Sequence, residues 1–390
     1  MATNLSGTHL LHADEGFPGH EVSPSISVTT TFRRDAPFED PDIVAPGSRG
    51  NHHDYSRYSH DVSDRVVAVL NKITNGHSIT YSSGLAAAFS ALIHYKPRRI
   101  AIRGGYMGCH GSIKVYSKTR FDDTPVVDLD DDLKEGDLCW LETPLNPTGE
   151  SRDIKYYADK IHAVGGKLLV DSTFGPPPLQ DPFKWGADCV FHSGTKYFGG
   201  HSDLLCGVLV VKSEAECKEL WQDRVYMGNV MGSMESWLLL RSLRTLHLRV
   251  PRQSENGTAL AQWLSKAVNV PAGQEHDGLP GGILTHIWHS SLQGVDERGF
   301  DPAKQMEGGF NATFSVVVSK PEYAERLPNY LHYFVNATSL GGVESLIEQR
   351  SLSDPSEDPL RIRISVGVED IEDLKNDMRQ AFQKLAKLQV

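Results

Sequence analysis

The run Ser193-Gly194-Thr195-Lys196 places a lysine between small hydroxyl residues, just after the apolar stretch Cys189-Val190-Phe191 and just before Gly199-Gly200. That setting suits a phosphate-bearing aldehyde. The amine forms an imine with the carbonyl while the neighbouring hydroxyls hold the phosphate. Desolvation and nearby positive charge lower an amine's pKa, leaving it neutral and able to attack. A lone lysine is nearly always solvated, so the flanking residues carry the argument.

Three further pieces fall in the order such a cofactor needs. Ser82-Ser83-Gly84 lies between a short strand and the helix-forming LAAAFSAL. Free N–H groups and the dipole at a helix start attract phosphate, although a small-residue start is usually only a cap. The stretch KLLVDST ends a strand-like run at Asp171. An acid at the carboxyl end of a strand can pair with a protonated pyridine nitrogen, and the cationic ring then accepts a carbanion's electrons. A surface or N-cap aspartate is the bland alternative. Arg361 and Arg363 sit on a late apolar strand, where a fork-shaped guanidinium suits a substrate carboxylate. A structural ion pair is the competing reading for either.

The elements that must position these groups alternate between helix and short apolar strand, beginning near Val62. Asp64 to Ile73 and Leu85 to Tyr95 read as helices; Ser78 to Tyr81, Ile100 to Ile102, Cys139 to Leu141, Lys167 to Val170 and Val208 to Val211 read as strands. The pattern predicts an α/β fold with a mostly parallel sheet. A helical region near Met234 to Leu248 leads to a second unit with strands at Phe314 to Val318 and Ile362 to Val366. A closing helix there carries an apolar stripe from Ile371 to Leu388, which reads as core. The first fifty or so residues are rich in Pro, Gly, His and Asp and read as an extended arm.

Composition narrows the function. The formal net charge of -11 has no basic stripe to set against it, which argues against a nucleic-acid partner. The partners expected are a small molecule and other copies of the chain. Cys109, Cys139, Cys189, Cys206 and Cys217 are scattered without a CxxC pair, as expected of reduced thiols in a cytoplasmic setting. The start MATNLSGTHLLHADE lacks the basic and apolar segments of a signal peptide, and no apolar run approaches membrane-spanning length. His52-His53, His192 and His201 have no cysteine or carboxylate at metal-ligand spacing, so no metal is expected.

HSGTKYFGGHSD, with VDSTFGPP and LETPLNPT before it, resembles the Cys/Met-metabolism family of pyridoxal-phosphate enzymes. These include the cystathionine synthases and lyases, methionine γ-lyase and the homoserine sulfhydrylases. The resemblance runs from HLLHADE to RISVGVED, nearly the whole chain, with several motifs in order. It implies fold type I, an aspartate-aminotransferase-like arrangement. Residues 1–50 would be the arm, 51–245 the cofactor-binding domain and 246–390 a smaller α/β domain.

The resemblance also implies roles. Lys196 would hold pyridoxal 5'-phosphate as an imine and shuttle protons. Asp171 would meet the pyridine nitrogen, with Thr173 beside it. Ser193, Thr195, Gly84 and Leu85 would hold the phosphate. Tyr55 and Arg57, in DYSRYS, would reach the phosphate of a neighbouring subunit, making the enzyme an obligate homo-oligomer, expected as a tetramer. Tyr106 would stack on the ring and carry protons. Glu142 and Asn146 would lie near the cofactor and substrate. Arg363 would clamp the α-carboxylate beside Ser339, its spacing to Ser365 favouring it over Arg361.

The chain departs from the family pattern around the substrate. The usual Tyr-Gly-Gly-Thr reads Tyr106-Met107-Gly108-Cys109, and Thr338 stands where many relatives carry an acidic or aromatic residue. Ile347-Glu348-Gln349-Arg350 replaces the Thr-His pair often found after Ser-Leu-Gly-Gly. The expected reaction is γ-replacement on an O-acylated homoserine, as in cystathionine γ-synthase, with cysteine, sulfide or a carbon compound as nucleophile. A C–S lyase acting on cystathionine or methionine is the alternative. A binding protein that has lost catalysis is a remote third.

Overall fold

The structure is a computed structural model that describes residues 6–17, 19–33 and 53–388. Much of the expected arm, together with His52, lies outside the described residues. What is described of it includes a short helix, α1 (Gly7–His12), capped by the Ser6 side chain. Its Leu10 is fully buried, and the following Asp14 forms ion pairs with Arg65 and Arg244. This stretch is therefore packed where the sequence suggests only an extended arm, because one apolar side chain and one acid find partners far along the chain.

α2 (Asp61–Thr74) leads into β1 (His77–Tyr81), and α3 (Gly84–Tyr95) follows directly. Then come β2 (Arg99–Ala101), α4 (Met107–Ser117), β3 (Val126–Val127) and β4 (Asp137–Glu142). α5 (Ile154–His162), β5 (Lys167–Asp171), β6 (Cys189–Ser193) and β7 (Gly207–Val211) complete a seven-stranded sheet of order β1-β7-β6-β5-β4-β2-β3. β6, β5, β4, β2 and β3 are parallel, while β7 runs antiparallel to both β6 and β1. Every residue of β4 is buried, and its four central residues, Leu138 to Leu141, are apolar, as expected of a strand covered on both faces.

α6 (Glu214–Met227) and α7 (Ser233–Leu243) precede α8 (Leu246–Ser265). The single helical region read near Met234 to Leu248 is thus two helices. They part at Arg244 and Thr245, where the Arg244 side chain turns away to the carbonyls of Leu10 and Leu11. The hairpin β8 (Glu275–His276) and β9 (Leu279–Pro280) leads to β10 (Leu284–Trp288), the short α9 (Pro302–Gln305), β11 (Thr313–Val318) and α10 (Pro321–Tyr330). β12 (Val335–Asn336), β13 (Leu346–Gln349) and β14 (Arg361–Ser365) finish a five-stranded sheet of order β10-β11-β14-β13-β12. α11 (Ile371–Ala386) closes the fold, burying Leu374, Met378, Phe382 and Leu385 with Ile371 and Leu388 packed alongside. Among the described residues no helix is long and apolar enough to cross a membrane.

The sheet order places the chemistry. β1 runs parallel to β6 through their shared neighbour β7, so Tyr81, Gly207 and Ser193 stand in register at one edge. Glu142 and Asp171 are paired at that same edge. Open α/β sheets leave a crevice outside the carboxyl ends of their strands.

Candidate active site

The crevice is a cavity of about 550 Å³, ordinary for a small-molecule site. Ser83, Gly84, Leu85, Tyr106, Glu142, Asn146, Asp171, Thr173, Ser193, Thr195, Lys196, Ser339 and Arg363 all line it. These residues, from Ser83 to Arg363, come from distant parts of the chain and from both sheets.

The phosphate-holding edge is built locally. Ser83 caps α3, its hydroxyl accepting from the Ala86 N–H at 3.1 Å. Gly207 allows that helix start to rest on β7, because a Cβ there would lie 2.2 Å from the Ser83 carbonyl. The Thr173 hydroxyl accepts from the Ser193 N–H at 2.9 Å, tying the ends of β5 and β6 together. The Thr195 hydroxyl accepts from the Cys206 N–H at 2.9 Å, which holds the lysine-bearing turn against β7.

Two carboxyls lie at the strand ends. Asp171 accepts from the Thr173 N–H at 3.0 Å and has no ion-pair partner among the described residues. Glu142 accepts from the Tyr106 N–H at 2.8 Å and the Asn146 N–H at 2.7 Å. Gly105, at φ +90, makes this approach possible: a Cβ there would lie 2.4 Å from Glu142 Oε2. Burial raises both carboxyls above the usual carboxylate range, and repulsion from Asp171 pushes Glu142 further. A buried acid facing a cavity without a cation beside it suits a cationic ligand atom.

The second sheet supplies the opposite wall. Ser339 is held at φ +84, a conformation rare for a residue with a side chain. It directs its carbonyl to Arg363 Nη2 at 2.9 Å and its hydroxyl to Lys196 Nζ at 2.9 Å. Arg363 Nη1 donates to Asn146 Oδ1 at 3.0 Å, and Nη2 forms an ion pair with Glu348. Burial brings the Lys196 amine down to about 8, with Arg363 adding to the effect and Glu348 opposing it. A neutral amine within reach at moderate pH can condense with an aldehyde or accept a proton.

The donor set fits pyridoxal phosphate. Ser83, Ser193 and Thr195 hydroxyls, the start of α3, the buried Asp171 carboxyl and a lysine of lowered pKa all line the one cavity. A family model described as "Cys/Met metabolism PLP-dependent enzyme" matches residues 7–383. This chain belongs to that family. Pyridoxal phosphate is its cofactor, and the family acts on amino-acid substrates of cysteine and methionine metabolism. Cystathionine gamma-lyase of Dictyostelium discoideum is 33% identical, over 97% of each chain. Cystathionine gamma-synthase of Mycobacterium bovis is 34% identical, over 93% of this chain and 92% of that one. The crystal structure of metB from Corynebacterium glutamicum superposes with a TM-score of 0.83 at 27% identity, covering 99% of this chain and all of that one. The fold is that of the fold type I enzymes.

Not every expected site residue reaches the cavity of its own chain. Tyr55 is 41% exposed, and Arg57 donates to the Val225 carbonyl at 2.9 Å; neither lines the cavity. Arg361 pairs with Glu357, and its guanidinium lies 4.8 Å from the Trp288 ring centre, lining an adjoining cavity. His192 is buried beside Phe198, and the His201 Nδ1–H donates to the Gly199 carbonyl at 2.8 Å. Among the described residues no three His, Cys, Asp or Glu side chains group as a metal site.

Sequence reasoning missed Glu348, Arg350 and Ser353, which complete the wall beside Arg363. The one available signal was the departure at Ile347 to Arg350. Its meaning depends on β13 pairing with β14, which sets Glu348 opposite Arg363.

The amine value has a measurable consequence. Cofactor-free protein should capture pyridoxal phosphate faster as pH rises toward about 8, because only the neutral Lys196 amine attacks. Below that point the rate should fall about tenfold per pH unit, and above it the rate should level off. Stopped-flow absorbance from pH 6 to 9.5 reads this, and a rate independent of pH over that range would contradict it.

Proposed function

We propose that this enzyme carries out γ-replacement on an O-acylated homoserine, with cysteine, sulfide or a carbon compound as nucleophile. One observation supports this substrate over cystathionine. The acidic residues lining the cavity are Glu142, Asp171 and Glu348. Glu142 is engaged by backbone N–H groups, Asp171 by Thr173 and Glu348 by arginines. Among the described residues Thr338, Met107 and Leu340 add no carboxylate to this wall, so a leaving group without an ammonium suits it. Cysteine as nucleophile would bring an ammonium there, which favours sulfide or a carbon compound among the three. An uncharged acyl ester suits that wall better. Methionine also has an uncharged tail, so elimination from methionine is the second reading.

Bound pyridoxal phosphate supplies an aldehyde for the amino group and an electron sink for a carbanion. In this reading Ser193, Thr195 and the N–H groups of Gly84 and Leu85 would hold the phosphate. Asp171, steadied by Thr173, would keep the ring nitrogen protonated, and Tyr106 would stack on the ring. Arg363, held by Asn146 and the Ser339 carbonyl, takes the α-carboxylate. The Lys196 amine, held near the Ser339 hydroxyl, would take the α-proton and, once that proton has been passed on, a β-proton. The γ C–O bond breaks and the acyl group leaves as its acid. The new bond forms at the γ-carbon as the nucleophile loses its proton, with Lys196 and the Tyr106 phenol returning protons to carbon.

Exposed Tyr55 and the nearby Arg57 are read as completing the phosphate site of a second copy, in a homo-oligomer that we take to be a tetramer. Residues 51–245 and 246–390 are taken as the cofactor-binding and smaller domains.

The test supplies O-acetylhomoserine alone, with sulfide and with cysteine. A replacement product with either nucleophile, with little keto acid when both are absent, is the expected result. Keto acid and ammonia released from methionine without a second substrate would replace this reading with the lyase.

A further inference from the structure

Beside the carboxylate-binding candidate the chain has buried a second arginine. Glu348, Arg350 and Arg363 are 4%, 5% and 6% exposed, and all three line the cavity. Glu348 bridges the two guanidiniums: its Oε1 accepts from Arg350 Nη1 at 2.7 Å and pairs with Arg363 Nη2. Its Oε2 accepts from the Ser353 hydroxyl at 2.8 Å. The Nε of Arg350 is buried and has no hydrogen-bond partner among the described residues.

The charge count decides what this cluster can bind. Arg363 and Glu348 alone would sum to zero, and an arriving carboxylate would leave one uncompensated negative charge in a buried site, which is costly. With Arg350 the trio carries one net positive charge, which one carboxylate neutralises. Arg350 also draws on the same Glu348 oxygen that otherwise competes for Arg363. We propose that Arg350 is a positioning residue for substrate recognition: by sharing Glu348 and balancing its charge, it leaves Arg363 able to bind the substrate's α-carboxylate.

This inference rests on the reading of Arg363 as the carboxylate clamp, and the experiment separates the two. Cofactor-loaded protein is titrated with L-alanine, with L-glutamate, and with ethylamine, which lacks a carboxylate; the absorbance change gives each dissociation constant. R350Q should weaken L-alanine and L-glutamate alike, on the order of 10²-fold, because the Arg363–Glu348 pair is then left neutral. Ethylamine binding should not change, which also shows that the variant is folded and loaded. E348Q should bind L-alanine at least as tightly as the parent protein. E348Q/R350Q should return to near the parent value, since the net positive charge is restored; a purely structural role would give no such rescue. Should R350Q fail to fold, E348Q and the double variant still test the ordering.

R350Q binding L-alanine like the parent while R363Q does not would overturn the proposal and leave the clamp intact. Loss confined to L-glutamate would overturn it in favour of a subsite for a distal acid. R363Q binding L-alanine normally would overturn both the clamp and this inference.

Discussion

Replacing Lys196 with alanine is expected to lower turnover by at least about 10⁴-fold, the upper range for removing a group that transfers protons. The loss should be in kcat, because the phosphate site, Asp171 and Arg363 all remain. The variant should still bind pyridoxal phosphate, since Ser193, Thr195 and the α3 start do not depend on the amine. It should lack the absorbance band produced by the lysine and cofactor together, and its spectrum should change only slowly when amino acid is added. In the parent protein the Lys196 amine is held 2.9 Å from the Ser339 hydroxyl. Adding methylamine should restore part of the activity, because the missing function is a neutral amine at a defined place. If the alanine variant kept more than a tenth of parental turnover, another base would be in use and the mechanism above would fail.

Asp171→Asn is expected to cost on the order of 10²–10³ in kcat, comparable to removing one charge-stabilising group from a water-excluded site. Asparagine keeps the shape and can still accept from the Thr173 N–H, so the change isolates the charge. Without that charge the ring nitrogen loses its proton more readily, and the cofactor is a weaker electron sink. Exchange of the substrate α-proton for deuterium, followed by NMR, should slow in parallel with turnover. Equal exchange rates in parent and variant would remove Asp171 from the proton-abstraction step. The same substitution takes a buried carboxyl out of repulsion with Glu142, so Glu142 should titrate at lower pH in the variant.

In the proposed reading, the wall containing Glu348, Arg350 and Thr338 bears on which amino acid is accepted, and the edge at the strand ends on what is done to it. The two are built differently. The edge is assembled from turns that directly follow strands: Ser83 after β1, Thr173 after β5, Thr195 and Lys196 after β6. Each lies within a few residues of the strand that positions it. The substrate wall joins β13 and β14 to a loop and to β4's carboxyl end, across separations of more than two hundred residues, as in the Arg363–Asn146 contact.

That difference explains how much could be read in advance. Strand-then-turn units with small hydroxyls, an acid and a lysine are local patterns. The sequence by itself therefore determined the alternation of elements, the mostly parallel sheet, the cofactor class and the residues around Lys196. The apolar stripe of α11 was equally local, because helical spacing alone selects the buried face. The resemblance favoured Arg363 over Arg361, and the tertiary structure supplies the physical reason, since only Arg363 lines the cavity. Both sit on the same strand two residues apart, and the deciding factor is that Arg361 lies over Trp288 while Arg363 meets Asn146 and Ser339. Only tertiary structure decided that Glu348 stands opposite Arg363, since strand pairing depends on register between segments that share no local signal. The helix at Gly7–His12 belongs to the same class: what holds it are partners at Arg65 and Arg244, contacts that no window of sequence contains.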